Sequence, residues 1–267
     1  VERLTSYADL LRRSGGDPWI RWGLAADRPG ELWVHDGIAL IERRGARRGF
    51  WVAPLRPAGP PEWARSAEAA RTRAAVAALR DGGHLTRLDA RTISVDARVG
   101  AVAGEVLPLG DGGDWDWMWT VSEPPAAAGE ERLIMLDDTG DAAEINAFSA
   151  ANNPRVWTEA GSGRVVHWLG IRDDSGGLVA VGGAEREESG APHLAGIVTA
   201  TAHRGTGLGT AVTTGLVRWA LADAGVCTLG MYSDNDAARS VYRRIGFRTA
   251  RAWRSRTLID HDHDDRR

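Results

Sequence analysis

Apolar and polar positions along the chain switch between two periods. Residues 31–42 and 49–55 place apolar side chains at nearly every second position, which predicts strands on either side of the polar turn Arg43-Arg44-Gly45-Ala46-Arg47-Arg48. Pro57, Pro60 and Pro61 break that pattern. An Ala- and Arg-rich run without internal Gly or Pro then predicts a helix from about Glu62 to Arg80, stopped at Asp81-Gly82-Gly83. Thr92 to Asp96 reads as a strand. Asp114-Trp115-Asp116-Trp117-Met118-Trp119 alternates strictly, so a strand here puts three Trp side chains on one face and two carboxylates on the other.

The second half has a clear order. A short strand is predicted at Arg132 to Leu136 and a helix from Asp141 to Ala151, with Thr139 or Asp141 as its cap. Strands follow at Val165 to Arg172 and Leu178 to Glu185, around the turn Asp173-Asp174-Ser175-Gly176-Gly177, and at His193 to Ala202. Leu208, Val212, Leu216 and Trp219 form the apolar stripe of a helix from Leu208 to Ala224. Cys227 to Tyr232 is a strand, Asp236 to Arg244 a helix, and Phe247 to Leu258 a final strand. Between the halves, residues 121–130 hold two prolines followed by small residues, a segment that neither packs nor pairs. The fold class is therefore α/β, of the α+β kind with a mixed sheet. An N-terminal α/β domain is expected at 1–120, a linker at 121–130, a second domain at 131–258 and a disordered polar tail at 259–267.

Composition narrows the function. The 267 residues carry a net charge of −3, so there is no basic face for nucleic acid. No apolar run approaches the roughly 18 residues that span a bilayer. Val1-Glu2-Arg3-Leu4 lacks a signal pattern, and the single Cys227 fits a reducing compartment, so a cytoplasmic protein is expected. All 33 basic residues are arginine. Of the 12 Trp, eight precede residue 120. Core packing is their ordinary use, while Trp115, Trp117, Trp119 and Trp157 are candidates for an apolar cleft. Asp114 and Asp116 are solvated carboxylates or recognise a cationic amine. His261 and His263 lie in the tail without a closed set of metal ligands, and no metal site is expected. Oligomeric state is left open.

Arg204-Gly205-Thr206-Gly207-Leu208-Gly209-Thr210 follows a strand and opens a helix. A helix start exposes unpaired N–H groups and the positive end of its dipole, and glycines let the backbone approach an anion closely. A P-loop needs a lysine, which the chain lacks; a dinucleotide fold needs a different glycine spacing and an acidic residue after the next strand. A tight strand-to-helix turn without a ligand also fits.

Arg204-x-x-Gly207-x-Gly209 resembles the acetyl-CoA loop of the GNAT superfamily of N-acetyltransferases. Asn235-Asp236-Ala237-Ala238-Arg239-Ser240-Val241-Tyr242-Arg243-Arg244-Ile245-Gly246-Phe247 resembles the second hallmark of that family, in the expected order and separation. The resemblance covers about 131–258, and the two-domain arrangement is similar to the glycine N-acyltransferase-like group. The first unit is then either a degenerate copy, with Pro60-Pro61-Glu62-Trp63 in place of the glycine loop, or an unrelated substrate domain.

The resemblance implies acetyl-CoA as donor and direct transfer of its acetyl group to a primary amine of a small molecule or amino-acid-like metabolite. It implies that the backbone of Ile197, Val198 and Thr199 holds the pantetheine arm, that Arg204 to Thr210 hold the diphosphate, and that Asn235 and Ala238 lie along the cofactor. Asn235 either caps its helix or bonds the cofactor. Tyr242 is the candidate acid for the leaving thiolate, on one helix face with Ala238, Val241 and Ile245; a merely packed Tyr is the alternative. Thr199 and Thr201 replace an apolar residue and a proline that the family usually has. Many members carry a base where this chain has Ala195 and Gly196. His193, Glu185 or a water chain takes that role here, or the amine binds already neutral; His193 is read as a residue at an exposed strand start. A non-catalytic acyl-CoA-sensing module is the competing function. Cys227 reads as a small buried hydrophobe.

Overall fold

The computed structural model describes residues 1–27, 30–56 and 62–259, without the side chains of 62–64. The tail with His261 and His263 and the segment Pro60-Pro61 therefore lie outside the described residues. The elements run β1 (Glu2–Leu4), α1 (Tyr7–Arg13), α2 (Pro18–Gly23), β2 (Leu32–His35), β3 (Ile38–Arg43), β4 (Gly49–Pro54), α3 (Glu62–Asp81), α4 (His84–Arg87), β5 (Thr92–Asp96) and β6 (Leu109–Thr120). They continue with β7 (Ile134–Leu136), α5 (Ala142–Asn152), β8 (His167–Arg172), β9 (Leu178–Arg186), β10 (Pro192–Thr199), α6 (Leu208–Ala224), β11 (Cys227–Tyr232), α7 (Asp236–Arg244) and β12 (Arg248–Leu258).

Two compact units result: Val1–Asp116 with Tyr232–Asp234 and Ala250–Arg267, and Trp117–Met231 with Asn235–Thr249. The boundary differs from the one drawn in sequence. Most of β12 belongs to the first unit, because it pairs antiparallel with β5 from Trp253↔Asp96 to Thr257↔Thr92. An alternating pattern announces a strand and leaves its neighbour unspecified.

In the first unit the strand order is β1-β2-β3-β4-β5-β12, with the start of β6 next. The single strand expected over 31–42 is a hairpin. Asp36 (φ +46°) and Gly37 (φ +77°) are both left-handed, as a two-residue type I′ turn demands. Phe50, Val52, Ile93 and Val95 pack beneath Val76 and Leu79 of α3. Trp19, Trp51, Trp115 and Trp253 pack ring to ring, with centroids from 4.7 Å (Trp19–Trp253) to 6.4 Å (Trp115–Trp253). Trp115 is thus partly buried against this cluster, its Nε1 donating to Ser255 Oγ (2.8 Å).

In the second unit the order is β7-β8-β9-β10-β11, with the end of β6 beside β11. Val212, Leu216 and Val217 of α6 cover one face over Ala180, Leu194, Cys227 and Leu229. Each unit therefore runs three antiparallel pairings and then a parallel one whose strands are joined by a long helix: β4-α3-β5 in the first, β10-α6-β11 in the second. The repeated order supports the copy reading. The first parallel pair stays zipped over four positions, Gly49↔Thr92 to Val52↔Val95, whereas the second does not.

The 121–130 segment does pack, against expectation. Pro124 is buried, and Arg218 of α6 reaches Glu123, Glu130 (3.0 Å) and the Pro124 carbonyl (3.2 Å). One arginine fork makes a fixed strap of a composition that reads as free linker.

Candidate active site

β10 and β11 pair in parallel only at His193↔Thr228 and Leu194↔Leu229. β10 then bulges between Ala195 and Val198, and Gly196 sits at φ +62°. Leu194 and Ile197 are three residues apart yet enter the same core cluster, because the bulge inserts the extra residue. Val198 and Thr199 stay paired to β9 through Val181 and Ala180, so the side of β10 that faced β11 is left open. Glycine at 196 has a local cause: a side chain there would need a left-handed backbone and would stand 3.2 Å from Thr158 Cβ. The buried Thr158 Oγ1 beside it has no hydrogen-bond partner.

The loop that follows is exposed from Arg204 to Gly207. Gly205 (φ +79°) and Gly207 (φ +92°) take conformations that favour glycine, and each faces open space. The first helical bond of α6 is Ala211 N–H to the Gly207 carbonyl, 3.0 Å. Among the described residues none of the backbone N–H groups from Gly205 to Thr210 has an acceptor. Six donors at the positive end of a helix form a cradle that suits a diphosphate. Leu208 turns inward to the core, and Gly209 brings the helix start against Thr199. The exposed Arg204 donates from one guanidinium nitrogen to the Asn152 carbonyl (2.6 Å), holding the loop to α5. Thr206 Oγ1 likewise serves the loop, donating to the His203 carbonyl (2.7 Å).

α7 starts at Asn235, whose side chain accepts from Ala238 N–H (3.1 Å); the capping role is the one seen. Ala238 and Tyr242 are partly buried against the core around α6, and Ile245 is 2% exposed. The Tyr242 ring meets Phe247 edge-on, with centroids 5.9 Å apart. Burial pushes its phenol up to about 12, and the hydroxyl has no hydrogen-bond partner among the described residues.

An opened parallel strand pair, an N–H cradle and a Tyr-bearing helix thus stand in sequence, and residues 134–247 match the family described as Acetyltransferase (GNAT) family. This segment is a GNAT acetyltransferase domain. The whole chain shares its fold with GNAT proteins. An acetyltransferase of the family from Colwellia psychrerythraea is 14% identical, with 97% of this chain and 99% of that one covered and a TM-score of 0.52. A GCN5-related N-acetyltransferase from Sphaerobacter thermophilus is 15% identical, with 96% and 94% covered and a TM-score of 0.51. A GNAT-family protein from Novosphingobium aromaticivorans is 26% identical over 56% of this chain and 65% of its own, just under two thirds of its length, with a TM-score of 0.49. Members of the family transfer an acyl group from acyl-CoA.

The two base candidates of the GNAT domain face each other across β9 and β10, in register at His193↔Glu185. Glu185 is 7% exposed and bound to Arg164 at 3.0 Å. The His193 side chain is 15% exposed, so it is not the open strand-start residue that the sequence suggested. Its Nδ1 lies 2.8 Å from Glu187 Oε1 and 2.9 Å from Thr228 Oγ1. Burial, the largest influence, favours the neutral ring, but the charge and hydrogen bond of Glu187 and the charge of Glu185 outweigh it, so the ring's pKa is raised. Glu187 also accepts from Trp117 Nε1 (2.7 Å). Glu187 belongs to no motif and sits in a turn beyond β9; its place two residues after Glu185 is its local signal in the sequence.

Other candidates do not gather. Trp117 is 1% exposed, Trp119 is half-buried, and Trp157 is exposed with the Arg164 guanidinium over its ring. Asp114 is paired with Arg254 (2.9 Å) and Arg256 (3.0 Å), and buried Asp116 accepts from Ser233 Oγ (2.8 Å). Neither is a free surface carboxylate. Burial raises the Cys227 thiol, as suits a core residue. Among the described residues no helix is long and apolar enough to cross a membrane.

Proposed function

We infer that the protein is an acetyl-CoA-dependent N-acetyltransferase acting on a primary amine of a small molecule or amino-acid-like metabolite. The observation that carries this reading is Tyr242: a shielded phenol, protonated at neutral pH and with its hydroxyl unpartnered, on the motif helix of a GNAT domain. A protein that only senses acyl-CoA has no use for such a proton donor.

The donor supplies an activated thioester carbonyl. The N–H cradle of Gly205 to Thr210 anchors the diphosphate, and the free edge of Ile197, Val198 and Thr199 orients the pantetheine arm and polarises the carbonyl. Tyr242 protonates the departing thiolate. Glu185 is held in an ion pair by Arg164, and His193 is the side chain that relieves the amine of its proton. A reducing, cytoplasmic setting suits the single buried Cys227. Release of free thiol from acetyl-CoA over a panel of amines, with mass detection of the products, tests the reading. Acetyl-CoA binding without thiol release above background for any amine would instead identify an acyl-CoA sensor.

A further inference from the structure

His193 Nδ1 has two neighbours within hydrogen-bond distance, and both are acceptors. Glu187 is a carboxylate. The Thr228 hydroxyl gives its own proton to the Pro192 carbonyl (3.0 Å), so its oxygen is left to accept. The neutral ring must therefore carry its proton on Nδ1, which leaves the lone pair on Nε2. Nε2 has no partner among the described residues. Glu187 is itself held: Trp117 Nε1 donates to the same oxygen, and the Glu187 backbone closes its turn by donating to the Ala191 carbonyl (2.9 Å) and accepting from Gly190 N–H (2.8 Å). The charged groups around the ring are Glu187 and Glu185, with Arg164 on the latter; β11 and β6 present the neutral Thr228 and Trp117. The ring stands at the last paired positions before β10 and β11 part, at the root of the opening where the thioester would lie.

We propose that Glu187 is a positioning residue of the transfer reaction, holding His193 in the tautomer whose Nε2 takes the proton of the attacking amine through water. This rests on the acetyltransferase reading. As the amine nitrogen bonds to the thioester carbon, one N–H proton passes to Nε2, the carbon–sulfur bond breaks, and the thiolate takes the Tyr242 proton. The charge of Glu187 then stabilises the imidazolium that forms.

The test pairs kinetics with a direct view of the ring. In histidine-labelled protein, the His193 signal is assigned by its loss in His193→Asn. It should report a proton on Nδ1 at alkaline pH and a titration above the ordinary histidine value. Isosteric Glu187→Gln should lower that titration and move the acidic limb of kcat/KM with it. Glu187→Ala should reduce kcat about 100-fold, the low end for a general base, with CoA affinity by calorimetry unchanged. His193→Ala with Glu187→Ala should be no slower than His193→Ala alone. A His193 titration that stays in place in Glu187→Gln, or additive losses in the double variant, overturns the role of Glu187 while thiol release by the wild type keeps the acetyltransferase reading. A shifted titration in a protein that releases no thiol with any amine overturns both the reading and a catalytic use of the pair.

Discussion

A Cβ added to Gly209 would stand 2.9 Å from Thr199 Oγ1. The start of α6 and the end of β10 are thus as close as two backbone segments with one side chain between them allow. That contact sets where the N–H cradle lies relative to the open edge of β10.

Gly209→Ala forces the two apart. We expect it to destabilise the protein by about 1–3 kcal/mol, the usual cost of overpacking, and to weaken CoA binding. Thr199→Ala in the same chain should restore most of both losses. Thermal unfolding and calorimetric titration with CoA measure the pair.

Tyr242→Phe removes the proton donor and leaves the ring's contact with Phe247. A loss of about 100-fold in kcat is expected, with CoA affinity nearly unchanged. Because burial holds the wild-type phenol at about 12, activity should show no loss attributable to this group as pH rises through the neutral and mildly alkaline range. A full pH–rate profile of both proteins checks the two statements; wild-type kcat in Tyr242→Phe removes it from the chemistry.

Gly196 holds the bulge that opens β10 from β11. Gly196→Ala meets a left-handed backbone (φ +62°) and the Thr158 side chain at 3.2 Å. A stability loss of about 1–3 kcal/mol follows, measured by urea unfolding. For the same reason Gly196→Glu should not supply a working base: the position cannot present a side chain without shifting the bulge, and acetyl transfer should fall.

Arg218 straps residues 123–130 to α6. Arg218→Ala should cost about 0.5–1 kcal/mol, since the pair is partly open to water, and should speed proteolysis within 121–130. Burial alone would raise the Glu130 carboxyl, but the Arg218 hydrogen bond, the Ala127 N–H and the Arg218 charge lower it below the ordinary value. Its contribution is therefore complete at neutral pH and lost as pH falls below the usual carboxylate range. Acid titration of proteolytic sensitivity should show the transition in wild type and not in Arg218→Ala.

Sequence alone determined the parts whose causes are local. The bounds of α6, β11 and α7 follow from apolar spacing, the glycine opening of α6 and the Asn235 cap, all within a few residues of the elements they shape. The glycines that open α6 and the place of Tyr242 on α7 follow for the same reason. The Asp36-Gly37 hairpin was also written locally, in a dipeptide that alternation on both sides concealed. Tertiary structure decided what depends on pairing between remote strands. It joined β12 to β5, tied the 121–130 segment to Arg218, buried Asp116, and linked Arg204 to the Asn152 carbonyl of α5. It also brought Glu187, His193, Thr228 and Trp117 together from a turn and three strands. The side-chain period of a strand is two, so a register shift of one residue would send these groups to the opposite face. Spacing along one strand carries no record of the register against another, and the partner that orients His193 became visible only when the strands were paired.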